Sequence, residues 1–288
     1  MQELRYAKVG SVDDAVAALQ EGGPTARVLA GGTDIIVQAR ARARDIDLLV
    51  DVKGIDEVMQ LSFDADGGLT VGAATPCYQI YGDAAVREHY PALIDCTTLI
   101  GGTGIQGRAS LGGNLCNSSP SGDSLPVMYV LEATAELAGP GGRRTVPAED
   151  FCTGPGRNVM QPGEFLVSLH FPPPAPNSGA AFLRFIPRNE MDIAVVNAAT
   201  QLRFDGDAVS WARVSIGATA PTPLLVPEAA AALVGRPLSD ESIAAAAAAS
   251  KAAARPIADM RGSIKQRKHL AAVYTQRTIA IAADRARG

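Results

Sequence analysis

No stretch of the 288 residues approaches the roughly 20 consecutive apolar positions that span a bilayer, and the first thirty residues lack a basic start followed by an apolar core. These absences argue against a membrane-spanning or exported chain and predict a cytoplasmic one. Basic residues are spread out rather than clustered, and the formal charge is −4, so there is no electrostatic footprint for nucleic acid. Cysteine is sparse. Cys77, Cys96, Cys116 and Cys152 stand 19, 20 and 36 positions apart, with no CxxC and no nearby histidine pair, so neither zinc nor an iron–sulfur cluster is expected on this chain. Free thiols in a reducing compartment are the plain reading. His89, His170 and His269 lie far apart, with no acidic or cysteine cluster beside them, so no catalytic histidine constellation is legible.

Glycine, alanine and alternating apolar residues are what the chain has. The first fifty residues read as a small α/β unit: the strand "LRYAKV", a Ser11-capped helix "SVDDAVAALQEGG" ending at Gly22-Gly23, and the buried strand "ARVLAGG". A second helix, "DIIVQARARAR", and a strand, "DLLVDV", follow, which predicts parallel pairing through crossover helices. After Lys53 the texture becomes antiparallel. "VMQLSFDADGGLTVGAAT" reads as a hairpin turning at Asp66-Gly67, "ATAELAG" as a strand, and "EFLVSLHFP" as a strand with Phe165, Val167 and Leu169 on one face.

"PPPAPNSG", Pro172 to Gly179, supports neither a helix nor a central strand and marks a domain boundary. Beyond it, strands are expected at "AAFLRFI", "AVVNAATQLRF" and "SWARVSIGA", then the helix "SDESIAAAAAASKAAA" and a last helix from about Ser263 to Arg285.

Within "IGGTGIQGRASLGGN" the hexapeptide "GTGIQG" matches the dinucleotide fingerprint GxGxxG, and Asp123 follows Gly102 by 21 residues. The match fails on context. Downstream, "RASLGGNLCNSSPSGDS" carries a glycine pair and Pro120, which forbid the continuous helix that a Rossmann crossover needs. Two other glycine groups make better chemistry. "AGGTD", Ala30 to Asp34, ends a strand and opens a helix, and "SLGGN", Ser110 to Asn114, offers consecutive amides plus a hydroxyl. A diphosphate pinned between two such cradles needs neither a lysine nor a metal. Asp123 lies a short loop beyond the second and is placed to accept hydrogen bonds from ribose hydroxyls.

At these residues the chain resembles the FAD-binding medium subunit of molybdenum hydroxylases, the family of the xanthine dehydrogenase flavin domain and the carbon monoxide dehydrogenase medium subunit. The resemblance rests on "LAGGTDII", "RASLGGNLCNSSPSGDSLPVM", "EDFCTGPGRNVMQPGEFLVSLHFP", "FLRFIPRNEMDIAVVNAA", "IGATAPTP" and "DMRGSIKQRKHL", in order and over nearly the whole chain. It implies an α+β protein with two domains. Residues 1 to about 175 would form a two-part FAD-binding domain of the vanillyl-alcohol-oxidase-like (PCMH) type, with a small α/β subdomain at 1–55 and a larger, mainly antiparallel one at 56–175. Residues 178–288 would form a small C-terminal α+β domain, an antiparallel sheet plus helices, of the CO dehydrogenase flavoprotein type.

Carried over by position, the resemblance assigns cofactor contacts to Val28, Leu29, Ala30, Gly31, Gly32, Thr33, Asp34 and Ile35, and to Ser110, Leu111, Gly112, Gly113 and Asn114. Asp123 matches the ribose ligand, Ile100 stands beside the isoalloxazine, and Leu166 packs on the flavin or adenine. Arg184 occupies a position where lysine is common. Arg188 and Asp192 fit the family's spacing either as flavin contacts or as an ion pair tying the C-terminal domain to the first.

The implied role is an electron relay. FAD is held on this chain, a large partner carries the molybdenum cofactor, and a small partner carries [2Fe-2S] clusters, in a dimer of heterotrimers. The electrons leave to NAD+, oxygen or a quinone. Two alternatives stay open: a self-sufficient flavin oxidoreductase with its own organic substrate, and a nucleotide-binding scaffold without redox activity. The small, alanine-rich C-terminal segment, with Trp211 and Tyr274 as its candidate pocket aromatics, speaks against the first.

Overall fold

The computed structural model describes residues 4–288; residues 1–3 of the expected first subdomain lie outside the described residues. Three short parallel strands open the chain: β1 (Arg5–Lys8), β2 (Ala26–Leu29) and β3 (Leu48–Asp51), in the order β1-β3-β2. Helix α1 (Val12–Gly22) crosses from β1 to β2. Ser11 caps it by accepting from the Asp14 N–H at 3.1 Å, and Gly23, at φ 60°, ends it in a conformation that glycine adopts without strain. Val12, Ala15 and Leu19 form its buried stripe, and they join the main core of the next layer. Helix α2 (Ile35–Ala41) connects β2 to β3.

The second layer is an antiparallel sheet. Its strands are β4 (Leu61–Asp64), β5 (Gly68–Gly72), β6 (Thr134–Gly139), β7 (Gly142–Pro147) and, after the separate hairpin β8 (Cys152–Gly154) and β9 (Arg157–Asn158), β10 (Phe165–Phe171), in the order β4-β5-β10-β6-β7. The β4–β5 turn forms where Asp66-Gly67 predicts it, with Asp64 Oδ1 accepting from both of those amides. Strand β10 departs from the expected one-faced alternation. It is the central strand, its register with β6 shifts between Leu166 and Ser168, and it is buried from Phe165 through Leu169 because helices cover its second side.

Short helices carry the chain around this sheet: α3 (Asp56–Met59), α4 (Cys77–Gly82), α5 (Ala84–His89), α6 (Pro91–Thr97), α7 (Thr103–Gln106), α8 (Leu111–Asn117), α9 (Ser124–Val130) and α10 (Ala148–Phe151). The fingerprint hexapeptide therefore becomes the four-residue α7 and its flanks, not a Rossmann crossover. Helix α8 stops at Ser118, which turns left-handed at φ 48°, before Pro120. Helix α9 is wholly buried and admits Pro126 because a first-turn residue needs no N–H bond.

Residues 172–177 then lead into a further, four-stranded sheet of β11 (Ser178–Phe185), β12 (Val196–Asp205), β13 (Ala208–Gly217) and β14 (Leu224–Leu225), antiparallel in that order. Helices α11 (Pro227–Leu233), α12 (Asp240–Ala253) and α13 (Ile264–Arg287) pack over it, and this part has its own core, built around Val196, Leu202, Ile216 and Ile279. Charged pairs close the seam between the two sheets. Asp95 takes Arg285 at 2.6 and 2.9 Å and the Phe182 N–H at 3.0 Å, Glu132 takes Arg203 at 2.8 Å, and Glu149 takes Arg213. No helix among the described residues is long and apolar enough to cross a membrane.

Candidate functional site

Between the three-stranded sheet and the large sheet the structure leaves a cavity of about 1040 Å³. Its floor comes from the two glycine segments. The first begins where β2 ends: Ala30 to Asp34 run to the start of α2, with Gly32 at φ 81°, and the N–H groups of Thr33, Asp34 and Ile35 make no hydrogen bond among the described residues. The second surrounds the start of α8. There the Ser110 hydroxyl is the helix cap and accepts from the Gly113 N–H at 3.0 Å, the Leu111 N–H is turned to the Thr75 carbonyl by the bridge between Pro76 and Ser110, and the Gly112 amide has no partner among the described residues.

The two segments meet through backbone. A Cβ added at Gly31 would run into the carbonyl oxygen of Arg108, while Arg108 Nε donates to the Gly31 carbonyl at 3.2 Å. Gly112 likewise lies flat against the Ala73 carbonyl. Gly113 differs: a Cβ there would meet only Ser110 Oγ, at 3.2 Å, so the missing side chain leaves space in the cavity, not room for the protein's own packing.

Most of the sequence-assigned residues converge here. Val28, Ala30, Gly31, Gly32, Thr33, Asp34, Ile35, Ile100, Ser110, Gly112, Gly113, Asn114 and Leu166 all line the cavity. Four do not. Leu29 points to the other face of β2, into a small cluster with Ala39, Ile46 and Leu49, as strand alternation requires. Leu111 is in the main core.

Asp123 and Arg184 sit outside the cavity lining as a buried pair. Their side chains are 9 and 5 % exposed, with Nη1 and Oδ2 at 2.5 Å, and the Asn197 amide donates to Oδ1 at 3.4 Å. Arg184 and Asn197 are cross-strand neighbours on β11 and β12, so one ladder position aims both at the carboxylate. Burial raises the Asp123 carboxyl to about 6, against the pull of Arg184 and Asn197. Arg188 and Asp192 pair at 3.7 Å, and Asp192 also takes Arg261 at 3.4 Å. All three belong to the C-terminal part, so this cluster ties loops of that part together instead of joining it to the first.

Sequence reading missed several wall residues. Gln38, Asn158, Gln161, Glu164, Arg27 and Arg44 face the cavity. Gln38 Oε1 is buried with no partner, an acceptor awaiting a donor. Glu164 is held by Arg144 at 2.7 Å on each oxygen, so its charge is spent within the protein. The one available signal was Arg27: a charged residue inside a four-residue strand whose end residues are buried. Among the described residues no group of histidine, cysteine, aspartate and glutamate could hold a metal.

Comparison with known proteins agrees with this geometry. Residues 2–174 match the family model described as "FAD binding domain in molybdopterin dehydrogenase", and residues 181–282 match "CO dehydrogenase flavoprotein C-terminal domain". The xanthine dehydrogenase FAD-binding subunit of Escherichia coli O157:H7 is 32 % identical over 284 residues, covering 98 % of this chain and 97 % of that one. The carbon monoxide dehydrogenase medium chain of Afipia carboxidovorans is 31 % identical over 282 residues, again covering 98 and 97 %. A solved carbon monoxide dehydrogenase of Hydrogenophaga pseudoflava, which lacks the Mo-pyranopterin moiety of its cofactor, superposes with a TM-score of 0.94 over 98 % of both chains, at 29 % identity. The chain belongs to the FAD-binding flavoprotein subunits of the molybdenum hydroxylases, the oxidoreductase family of the xanthine dehydrogenase FAD subunits and carbon monoxide dehydrogenase medium chains.

Proposed function

We propose that the cavity holds FAD and that the chain relays electrons inside a heteromeric molybdenum hydroxylase. The observation that carries this reading is the convergence of two glycine segments, remote in sequence, on one cavity. The residues present fit the group. The volume, about 1040 Å³, is at the top of the range of about 300–1,000 Å³ usual for ligand sites, as a dinucleotide needs. Unbonded amides at Thr33, Asp34, Ile35 and Gly112 would donate to its diphosphate, and the bare Cα of Gly113 lets it approach. Ile100 and Leu166 would give apolar walls to its ring systems. Asp123 would act through Arg184, as a charged pair behind the wall.

Bound FAD supplies reversible electron transfer. The chain's residues hold it in place, keep water from it and set the charge around it, and none has to serve as acid or base. We read the partners as a large chain with the molybdenum cofactor and a small chain with [2Fe-2S] clusters, assembled in the cytoplasm as a dimer of heterotrimers. The acceptor would be NAD+, oxygen or a quinone. We also read 1–175, with parts 1–55 and 56–175, as the FAD-binding domain and 178–288 as the C-terminal domain.

The test is the colour of the purified chain. About one FAD per chain is expected, and Gly113→Val should lose it while keeping its melting midpoint. A colourless wild type that takes up no FAD overturns the reading. Reduction of the flavin by an organic substrate, with the chain alone, would favour the self-sufficient oxidoreductase instead.

A further inference from the structure

The first cradle is held from behind. Strand pairing ends where the Val52 N–H donates to the Leu29 carbonyl at 3.3 Å, and no backbone N–H among the described residues takes the next carbonyl, that of Ala30. Lys53 takes it instead, its Nζ donating at 3.0 Å. The ammonium is itself fixed. Asp51 Oδ1 accepts from it at 2.5 Å and from the Lys53 N–H at 3.0 Å, while Asp51 Oδ2 accepts from the Tyr6 hydroxyl at 2.5 Å. Asp51 is buried at the end of β3 and Tyr6 stands on β1, so the line of bonds from Tyr6 to Ala30 crosses the whole three-stranded sheet. Arg108 Nε holds the following carbonyl, that of Gly31, at 3.2 Å.

A trans peptide is planar, with its C=O and N–H on opposite sides. No peptide among the described residues is cis, so turning the Ala30 and Gly31 carbonyls onto Lys53 and Arg108 turns the Gly31 and Gly32 N–H groups the other way. Neither N–H has a hydrogen-bond partner among the described residues. Ala30, Gly31 and Gly32 line the cavity, while Lys53 and Arg108 lie outside its lining. A cation on the carbonyl also polarises the peptide and strengthens the donor at its other end. Because Asp51 neutralises Lys53, the pair brings no net charge to the site; what it sets is the angle of a peptide. We propose that Lys53 is a positioning residue for the cofactor: braced by Asp51 and Tyr6, it holds the peptide between Ala30 and Gly31 so that the Gly31 N–H faces the diphosphate. This rests on the FAD reading above.

The experiment follows the apoprotein with FAD and with ADP, which carries the diphosphate without the flavin. In the wild type, hydrogen exchange at the Gly31 amide should slow by about tenfold when either is bound. Lys53→Met should weaken both ligands about tenfold, since the amide loses its fixed direction. The double variant Lys53→Met/Asp51→Asn, which keeps the net charge, should do the same, and Lys53→Arg, which still carries a donor to the carbonyl, should restore most of the affinity. A merely structural role would lower the apoprotein's melting midpoint and leave the folded fraction with wild-type affinity, which overturns the proposal. Wild-type affinity in the charge-keeping double variant overturns it too, because charge and not direction would then be the cause. So does a Gly31 amide that exchanges as freely in the FAD complex as in the apoprotein, a measurement that needs no variant to fold; these results leave the FAD reading intact. A wild type that binds no FAD overturns that reading, and the role of Lys53 with it.

Discussion

The large sheet has a neighbour on either side, and the two seams are closed by opposite means. Toward the three-stranded sheet, the apolar side chains of α1, β2 and β3 merge into the large sheet's core, and beside the cavity the contact becomes backbone on backbone, Gly31 against Arg108. Toward the C-terminal sheet, long charged side chains fill the gap, in the pairs Asp95–Arg285, Asp123–Arg184, Glu132–Arg203 and Glu149–Arg213. Beside the cavity glycine lets main chains touch at a point and leaves a hollow next to it, whereas at the second seam arginine and carboxylate reach across the gap. The site lies in the first seam, where glycine keeps side chains out of part of it.

Substitution at the first seam should have the largest effect. Gly31→Val puts carbon where the Arg108 carbonyl already is, so one segment must move. Cofactor affinity should drop more than a hundredfold and the melting midpoint should fall, by overpacking worth about 1–3 kcal/mol. Wild-type affinity in this variant would show that the two cradles do not act together.

At the second seam Asp95→Ala deletes three hydrogen bonds and leaves Arg285 without its carboxylate, held by the Ala180 carbonyl. Urea denaturation should register a loss of about 2–3 kcal/mol, the range for hydrogen bonds to charged groups with one partner removed, with FAD affinity unchanged. Loss of FAD affinity would mean that the seams are coupled.

Asp123 gives a pH-dependent intermediate case. Its carboxyl titrates at about 6 in the folded chain and at about 3.9 when unfolded, so the folded state binds this proton more tightly. Its contribution to stability is fully present below about pH 4, falls as the pH rises to about 6, and is level above. The midpoint difference between wild type and Asp123→Asn, followed from pH 4 to 7.5, should decline over that window. A flat difference would mean that Arg184 outweighs burial.

The smallest effect is expected from Glu132→Gln. That carboxylate and Arg203 are each about a third exposed, so less than about 1 kcal/mol should be lost, and added salt should shrink it further.

What could be read in the sequence follows the same division. Both cradles were legible because two glycine pairs, one where a strand runs into a helix and one beside a capping serine, stood with a carboxylate a short loop beyond; the first α/β unit and the long strands followed from capping residues and periodicity, while the short helices between Asp56 and Leu233 carried too few turns to show a period. The charged seam was not, because its partners lie as far apart as Asp95 and Arg285, 190 positions, and an isolated arginine carries no mark of its mate. Arg44 was hidden for a related reason. Within "ARARAR" it has the pattern of a solvated face, and only the fold brings it to the cavity wall. The two-sided burial of β10 was missed because alternation predicts one packed face, whereas central position and covering helices decide the second.

The charged pairs of the second seam are also sorted by sign: each acid comes before the proline-rich link at 172–177, and each arginine after it. Such a face repels its own copy and attracts only its complement. If the polypeptide were cut at that link, the fragments would have a built-in means of telling each other apart from duplicates of themselves.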